Sequence, residues 1–306
     1  MKPSLSKQQH PLSKRHIMTI VALAVCLLWG SAFMMIVTGY DVMNVNTGDV
    51  FQIMLFAGMR FFVSACLIFL YALIFKKNMR LNFRGFKLVL VLGLLQTFGQ
   101  YLFLFLSLRT VHPANSSILA SFNIFLTVII AHFAYRNEKL SWQKIIGLTI
   151  GITGIIVLNG GASGQLSWTG EGYMFLSTVF GAVSGIYIKK ITKTLSPFVI
   201  AAYQLLIGSS LLIIIGLTFS SDIQFTVTPA SSMTLLYLGF ISAAAFTTWA
   251  TLLKYNKISQ VSIYKFSIPV FGVLIAFIFM GQAPNLISLL IALVMVASGI
   301  LLINWE

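Results

Sequence analysis

Long apolar runs separated by short polar segments recur along the chain from residue 17 to residue 304. A helix needs about 20 predominantly apolar residues to cross the hydrocarbon core of a membrane. Ten runs reach or approach that length: Ile17–Val37, Phe51–Phe75, Leu88–Leu108, Ala114–Ala134, Trp142–Leu158, Gly172–Ile188, Phe198–Phe219, Met233–Leu253, Val261–Met280 and Leu286–Ile303. None shows the alternation of apolar and polar residues typical of a spanning β-strand. The pattern therefore predicts an all-α integral membrane protein with ten transmembrane helices.

The composition supports a membrane location for most of the chain. Of its 306 residues, 58% are hydrophobic and only 8% are charged, with a mean hydropathy of +0.95. Soluble domains usually carry about a quarter charged residues. The net charge of +14 does not indicate nucleic-acid binding, because the cations flank apolar runs instead of forming one basic face. Residues 1–16 form a polar tail too short to fold, and Cys26 and Cys66, inside apolar runs, predict no disulfide.

Lysine and arginine are concentrated in alternate connections between the runs, and this sets the predicted orientation. Seventeen of the twenty lie in five segments: 1–16, 76–87, 136–144, 189–193 and 254–257. The intervening connections hold Arg109 together with Asp41, Asp49 and Asp222. A nine- or eleven-span count would break this alternation. The charges thus predict a multi-pass inner-membrane protein with both termini in the cytoplasm.

The two halves of the chain resemble each other at an offset of about 144 residues. Leu108 then pairs with Leu252, and one residue further on the segment Gly154–Asn159 matches Gly299–Asn304. A five-helix unit that starts inside must be followed by one that starts outside. Residues 17–159 and 170–304 are therefore expected to be two inverted five-helix repeats, the plan of many secondary transporters.

Short motifs along both halves resemble the EamA repeat of the drug/metabolite transporter superfamily. The first half contains LLWGSAF at Leu27–Phe33, GMRFF at Gly58–Phe62, and a charged turn before a glycine-rich fifth span at 136–159. The second half contains SIPVFGVLIAFIFMGQ at Ser267–Gln282, similar to the family's proline-containing ninth span. The resemblance covers residues 17–304. It implies a transporter of small metabolites such as amino acids, working by alternating access.

The sequence departs from the family at Gln282, where many members have a glutamate after the glycine. Any role of that acid is therefore not carried over to this chain.

Apart from Lys144 in the first turn of the fifth span, two cations fall within the predicted spans. Arg60 lies roughly 13 Å deep in the second span at 1.5 Å per residue, where ionisable groups are expensive and usually face the bundle interior. It could attract an anion or gate the pathway, or it could lock the bundle by bonding neighbouring carbonyls. Lys265 lies near the start of the ninth span, shortly before Pro269. The family resemblance places parts of this span on a central cavity, which favours contact with a substrate carboxylate or phosphate over snorkelling.

Polar and aromatic side chains within the spans complete the candidate substrate-binding set. Beside Lys265 it comprises Tyr264, Trp29, Asn123, Gln100, Tyr187, Tyr203, Gln204 and Trp249. Buried amides need hydrogen-bond partners, which a water-filled cavity supplies. Each could equally hold two helices together, an interaction worth about 0.6 kcal/mol.

No aspartate or glutamate lies within a predicted span, whereas carboxylate relays are the usual proton route in carriers. This favours export by exchange or facilitated diffusion over carboxylate-coupled proton transport.

Other functional classes find little support in the sequence. There is no phosphate-binding loop for ATP-driven transport, no His/Cys cluster for a metal and no cofactor motif. A serine-protease pattern at Ser163 lies in an outer loop, across the bilayer from His132, while His112 lacks an orienting acid. The chain is therefore not expected to be an enzyme. The alternative is a non-transporting membrane scaffold or a membrane-embedded enzyme subunit, and the sequence leaves the oligomeric state open.

The predicted topology can be tested by cysteine labelling from either side of the membrane. Single cysteines within residues 38–50 should react with an impermeant maleimide added outside, and those within 76–87 only with reagent added inside. Labelling of both segments from one face would contradict the ten-span topology.

Overall fold

A computed structural model describes residues 10–108, 110, 113–161, 167–220, 223–281 and 285–305. Within these residues the chain forms ten helical segments: α1 (Arg15–Met43), α2 (Val50–Ile74), α3 (Phe83–Ser107), α4 (Pro113–Ala134), α5 (Trp142–Leu158), α6 (Trp168–Ile191), α7 (Pro197–Phe219), α8 (Pro229–Tyr255), α9 (Ile258–Phe279) and α10 (Leu286–Ile303). Arg109, His112, Ser163, Asp222 and Gln282 lie outside the described residues.

The helices confirm an all-α, multi-pass membrane protein. In the described part of the chain, eight are long and apolar enough to cross a membrane. The other two are the shorter apolar stretches Ile118–Ala134 and Trp142–Leu158. The bounds of α5 and α10 agree with the sequence-based spans residue for residue, but α1 continues to Met43. Asp41, expected in a loop, therefore lies in the last turn of α1.

Side-chain caps explain where several helices begin and end, because the first N–H groups and last carbonyls of a helix lack partners within it. Ser141 accepts a hydrogen bond from the Lys144 N–H at the start of α5, and Asn285 does the same for Ser288 at the start of α10. At the other ends, Asn159 and Asn304 follow α5 and α10 with the same backbone angles, φ −92° and ψ 4°. Equivalent positions in the two halves thus delimit α5 and α10.

Close contacts through glycine join α5 to α10. A Cβ added to Gly299 would lie 2.6 Å from the carbonyl oxygen of Gly147, and one added to Gly154 would lie 3.0 Å from Met295. As residue numbers rise along α5 they fall along α10, so the two helices are antiparallel. In lipid, where there is no hydrophobic drive between helices, such small-residue contacts hold them together.

Helices α2 and α7 form a second antiparallel pair of this kind. A Cβ added to Gly58 would lie only 2.8 Å from the Ile213 side chain, and one added to Gly216 only 2.6 Å from the Leu55 side chain, so neither position has room for one. The remaining helices pack around these pairs: α1 lies against α8 and α9, and α6 lies against α3 and α4. This arrangement maps onto itself when the helices of one half are exchanged with those of the other.

We expect Gly299→Val to destabilise the bundle by about 1–3 kcal/mol, the usual range for overpacking a closed contact. The new methyl groups would overlap the Gly147 backbone. Thermal unfolding in detergent would show a lower midpoint. The control Ala297→Val adds methyl groups at an exposed position of the same helix and should leave the midpoint unchanged. Equal midpoints for both variants would contradict the contact.

Candidate functional site

Lys265 lies where α9 departs from regular helical geometry. A 3₁₀ turn, Ile263–Phe266, separates the first turn of α9 from its main part, and Pro269 follows without an N–H to donate. The Cys26 thiol of α1 donates to the Tyr264 carbonyl at 3.2 Å. The irregular backbone beside Lys265 is thus supported by a neighbouring helix.

The half-buried Lys265 side chain is directed at aromatic rings. Its Nζ lies 5.1 Å from the ring centroid of Trp249, which packs 5.2 Å from the ring of Trp29. Among the described residues no carboxylate lies within ion-pair distance of this ammonium. A cation over a tryptophan face is attracted to it by about 0.5–2 kcal/mol. Because the ring does not neutralise the charge, the ammonium can still attract an anion.

An aromatic row continues from Trp249 and Trp29 into the bundle. Trp29 lies 5.8 Å from Phe246, Phe246 lies 6.1 Å from Phe61, and Phe61 lies 4.7 Å from Tyr101. These five rings, here called the aromatic row, come from α8, α1, α2 and α3. The row therefore joins side chains of both halves of the chain.

Arg60 lies at the other end of the aromatic row. Its guanidinium carbon is 4.4 Å from the centroid of Phe61 and 6.0 Å from that of Tyr101, and the side chain is buried. Tyr40 and Tyr101 bring phenol oxygens close to it. Its Nε has no hydrogen-bond partner within the described residues. The row is thus flanked by two cations, and neither forms an ion pair within the described structure.

Gln100 and Asn123 come together over Gly181. A Cβ on Gly181 would lie 2.6 Å from Asn123 Nδ2 and 3.0 Å from Gln100 Cδ. Asn123 donates to the Thr178 carbonyl at 2.8 Å, and Gln100 ends a π-helical stretch of α3, Gly93–Gln100. π-Helical segments occur frequently at functional sites.

The other predicted site residues are placed differently. The hydroxyls of Tyr264 and Thr19 lie 2.6 Å apart, and Tyr203 donates to the Met79 carbonyl at 3.2 Å. Both tyrosines therefore connect structural elements away from the aromatic row. Gln204 is buried with Oε1 unpartnered among the described atoms, and Tyr187 is half-buried.

Some residues beside the predicted site had no distinguishing signal in the sequence. Phe61, Phe246 and Tyr101 lie within apolar runs, where aromatic residues are assigned to core or lipid by default. Glu138, seen in the sequence only as a residue at the end of a span, is almost fully buried, at 1% exposure. Its hydrogen bonds to another helix depend on tertiary structure.

A bundle of apolar helices with charged and aromatic side chains in its interior is typical of multi-pass membrane proteins whose intramembrane charges have a function. The EamA-like transporter family matches this chain twice, over residues 16–160 and 168–305. The chain therefore belongs to that family, within the drug/metabolite transporter superfamily.

Known proteins agree with this assignment. The chain is 29% identical to the uncharacterized transporter YvbV of Bacillus subtilis, over 82% of each chain. It is 26% identical to a probable amino-acid metabolite efflux pump of Salmonella typhimurium, over 86% of each. A solved crystal structure matches with a TM-score of 0.78 at 20% identity, covering 94% of this chain and 98% of the other. That similarity concerns the fold alone.

We expect Arg60→Met to leave the unfolding midpoint in detergent unchanged or raised. Replacing a buried charge with an apolar side chain of similar length is often neutral or stabilising. The same substitution should abolish the rise in midpoint that a bound anionic substrate produces. Arg136→Met, at an exposed loop position, should retain both. A drop in midpoint of many degrees for Arg60→Met alone would instead assign Arg60 to the bundle's stability.

Proposed function

We propose that this protein is a secondary transporter that moves a small metabolite bearing a carboxylate or similar anion across the inner membrane by alternating access. The observation that carries the proposal is the aromatic row between Lys265 and Arg60. Intramembrane cations are costly, usually face the bundle interior or a water-filled cavity, and mark pathways for substrates or ions. The rings offer the ligand's apolar part a surface between these charges.

The proposed architecture is two inverted repeats of five spans each, with both termini in the cytoplasm. Three observations support it: the equivalent caps of α5 and α10, the exchange symmetry of helix packing, and the antiparallel pairs α2/α7 and α5/α10. Equivalent helices of inverted repeats must run in opposite directions. Substrate then binds near the repeat interface, where the aromatic row combines helices of both halves.

Within this proposal Lys265 binds the anionic group, and Trp249 and Trp29 contact the substrate beside it. Gln100 and Asn123 supply amide groups near Gly181, while Tyr187 and Gln204 are secondary candidates. Tyr264 and Tyr203 act indirectly by fixing helices. An amino acid or related metabolite fits this chemistry, in line with the name of the Salmonella typhimurium relative.

Export by exchange or facilitated diffusion is the proposed mode. Of the four described acidic residues, Asp41 and Glu171 lie in terminal turns of α1 and α6, Asp49 caps the start of α2, and Glu138 lies outside the helices. A chain of carboxylates through the membrane interior is not present among the described residues. A carboxylate proton relay of the usual kind therefore has no support here.

Counterflow in proteoliposomes with a panel of amino acids and other carboxylates tests the function. At least one anionic or zwitterionic metabolite should exchange, and Lys265→Gln should reduce its initial rate by about tenfold or more, since a tenfold change corresponds to 1.4 kcal/mol of binding. Lys265→Arg keeps the charge and should retain part of the rate. Lys190→Gln, at an exposed lysine of α6, serves as control.

The same vesicles test the mode of transport. An imposed pH gradient should not drive accumulation above the external concentration. Gradient-driven flux that survives both Lys265→Ala and Arg60→Ala would contradict the proposed mode, and the absence of exchange for every metabolite would favour a scaffold or subunit role.

A further inference from the structure

Glu138, in the connection between α4 and α5, is bound to the start of α9. Its carboxylate accepts hydrogen bonds from the backbone N–H groups of Ile258 and Ser259 and from the Ser259 hydroxyl, the last at 2.6 Å. Ile258 and Ser259 are the first residues of α9 and are buried. A first-half carboxylate thus caps a second-half helix.

Lys189, near the end of α6, completes this cluster. Its Nζ lies 3.4 Å from Glu138 Oε1 and donates to the carbonyl of Asn256, the residue that ends α8. Its side chain is 12% exposed. The pair therefore spans the turn between α8 and α9.

Each charge lies at the helix end that stabilises it. The N-terminus of a helix carries a partial positive charge and the C-terminus a partial negative charge. Glu138 faces the N-terminus of α9, and Lys189 faces the C-terminus of α8. The arrangement is therefore directional, because exchanging the two charges would put each at the wrong helix end.

Neighbouring groups reinforce the closed arrangement. Tyr135 donates to the Ile186 carbonyl of α6 at 2.8 Å, and the ammonium groups of Lys189 and Lys193 lie 5.8 and 5.9 Å from its ring. The Tyr135 phenol is a donor at neutral pH, as any tyrosine is, and burial and the nearby Glu138 carboxylate raise its pKa further, to about 12. The cluster thus connects α4, α6, α8 and α9.

The sequence does not repeat this pair at the equivalent positions of the two halves. At the offset of 144 residues, Gln282 stands where Glu138 stands in the first half, and Val45 stands where Lys189 stands. Neither replacement is charged. This glutamate–lysine pair therefore has no counterpart at those two positions.

We propose that Glu138 and Lys189 form a latch that closes the bundle at the end where α9 begins, and that Glu138 is a positioning residue for Lys265. The first turn of α9, held by Glu138, leads directly into the 3₁₀ turn that carries Lys265. Opening the site toward this end requires both charges to leave the helix ends they face. The role of that opening in transport rests on the proposed function, in which this end of the bundle faces the cytoplasm.

A reporter cysteine at Ser262 tests the latch without any substrate. Ser262 is 3% exposed in the first turn of α9. In a Cys66→Ser background, Ser262→Cys should react slowly with an impermeant maleimide in inverted membrane vesicles. Glu138→Gln and Lys189→Met should each raise the labelling rate by about tenfold, because each removes a contact that favours the closed state over the open state. Glu138→Asp should give a smaller increase.

The charge-exchange variant Glu138→Lys/Lys189→Glu separates the latch from an ordinary ion pair. If the two residues formed only an ordinary ion pair, exchanging the charges would restore the pair and labelling would be slow again. The latch should instead stay open, because each charge would oppose the dipole of the helix end it faces. The control is Glu171→Gln, which should not change labelling. The Glu171 carboxylate accepts a hydrogen bond from the Ser167 N–H at the start of α6. Lys189→Met keeps the Glu138 cap, so it tests the latch even where Glu138 variants fold poorly.

Unchanged labelling in both Glu138→Gln and Lys189→Met, or slow labelling restored by charge exchange, would overturn the latch. Because the reporter needs no substrate, these outcomes differ from a failure of transport. A protein whose labelling responds as expected but which exchanges no metabolite would contradict the proposed function and keep the latch.

Discussion

In lipid a backbone N–H or carbonyl has no water to bond, so each must find its partner within the protein. Because of this constraint, nearly every described residue outside the connecting segments is helical. The same constraint limits the places where a helix can become irregular. Besides the π-helical first turn of α6, Trp168–Gly172, which Ser167 caps, two departures lie within helices: the π-helical stretch Gly93–Gln100 and the 3₁₀ turn Ile263–Phe266. Each receives a hydrogen bond from a neighbouring helix: Ser177 donates to the Gln100 carbonyl, and Cys26 to the Tyr264 carbonyl. Irregular backbone thus occurs beside Gln100 and Lys265, two proposed site residues.

The same environment determines how the helices associate. With lipid as apolar as leucine, close contact depends on residues small enough for backbones to approach, and glycines of α2, α5, α7 and α10 provide it. The two antiparallel pairs they form join the halves of the chain. The aromatic row lies on α1, α2, α3 and α8, of which α2 also belongs to a tight pair. Tight pairs and an aromatic interior are therefore complementary parts of one bundle.

Hydropathy predicted most of the helices because it reports directly on the membrane. The bounds of α5 and α10 were correct, since apolar runs there end at capping residues. The prediction for α1 ended at Val37, six residues early, because its last turns, through Thr38 and Asp41, are too polar for the hydrocarbon but continue as helix. Helix α3 likewise begins at Phe83, where Asn82 caps it among cations. Such interfacial turns are helical without being apolar.

The site was predicted less completely, for a physical reason. A cation in an apolar run is conspicuous, so Arg60 and Lys265 were identified. Their aromatic neighbours were not, because Phe61, Phe246 and Tyr101 resemble residues that face lipid. Nor can a sequence indicate that Tyr203 reaches the Met79 carbonyl, since that depends on how distant helices pack. Hydropathy locates a residue in the membrane but does not show which side of its helix faces the interior.

Two pairs of charges in the described chain differ in how their desolvation is compensated. Glu138 and Lys189 compensate each other and the helix ends they face, so folding alone accounts for their burial. Arg60 and Lys265 have aromatic faces nearby, together with phenols beside Arg60 and the Cys26 thiol beside Lys265, which recover a small part of the cost of burying a charge. An apolar side chain would serve stability as well at these two positions. The proposed function accounts for these two charges by a ligand that supplies the missing negative charge when it binds.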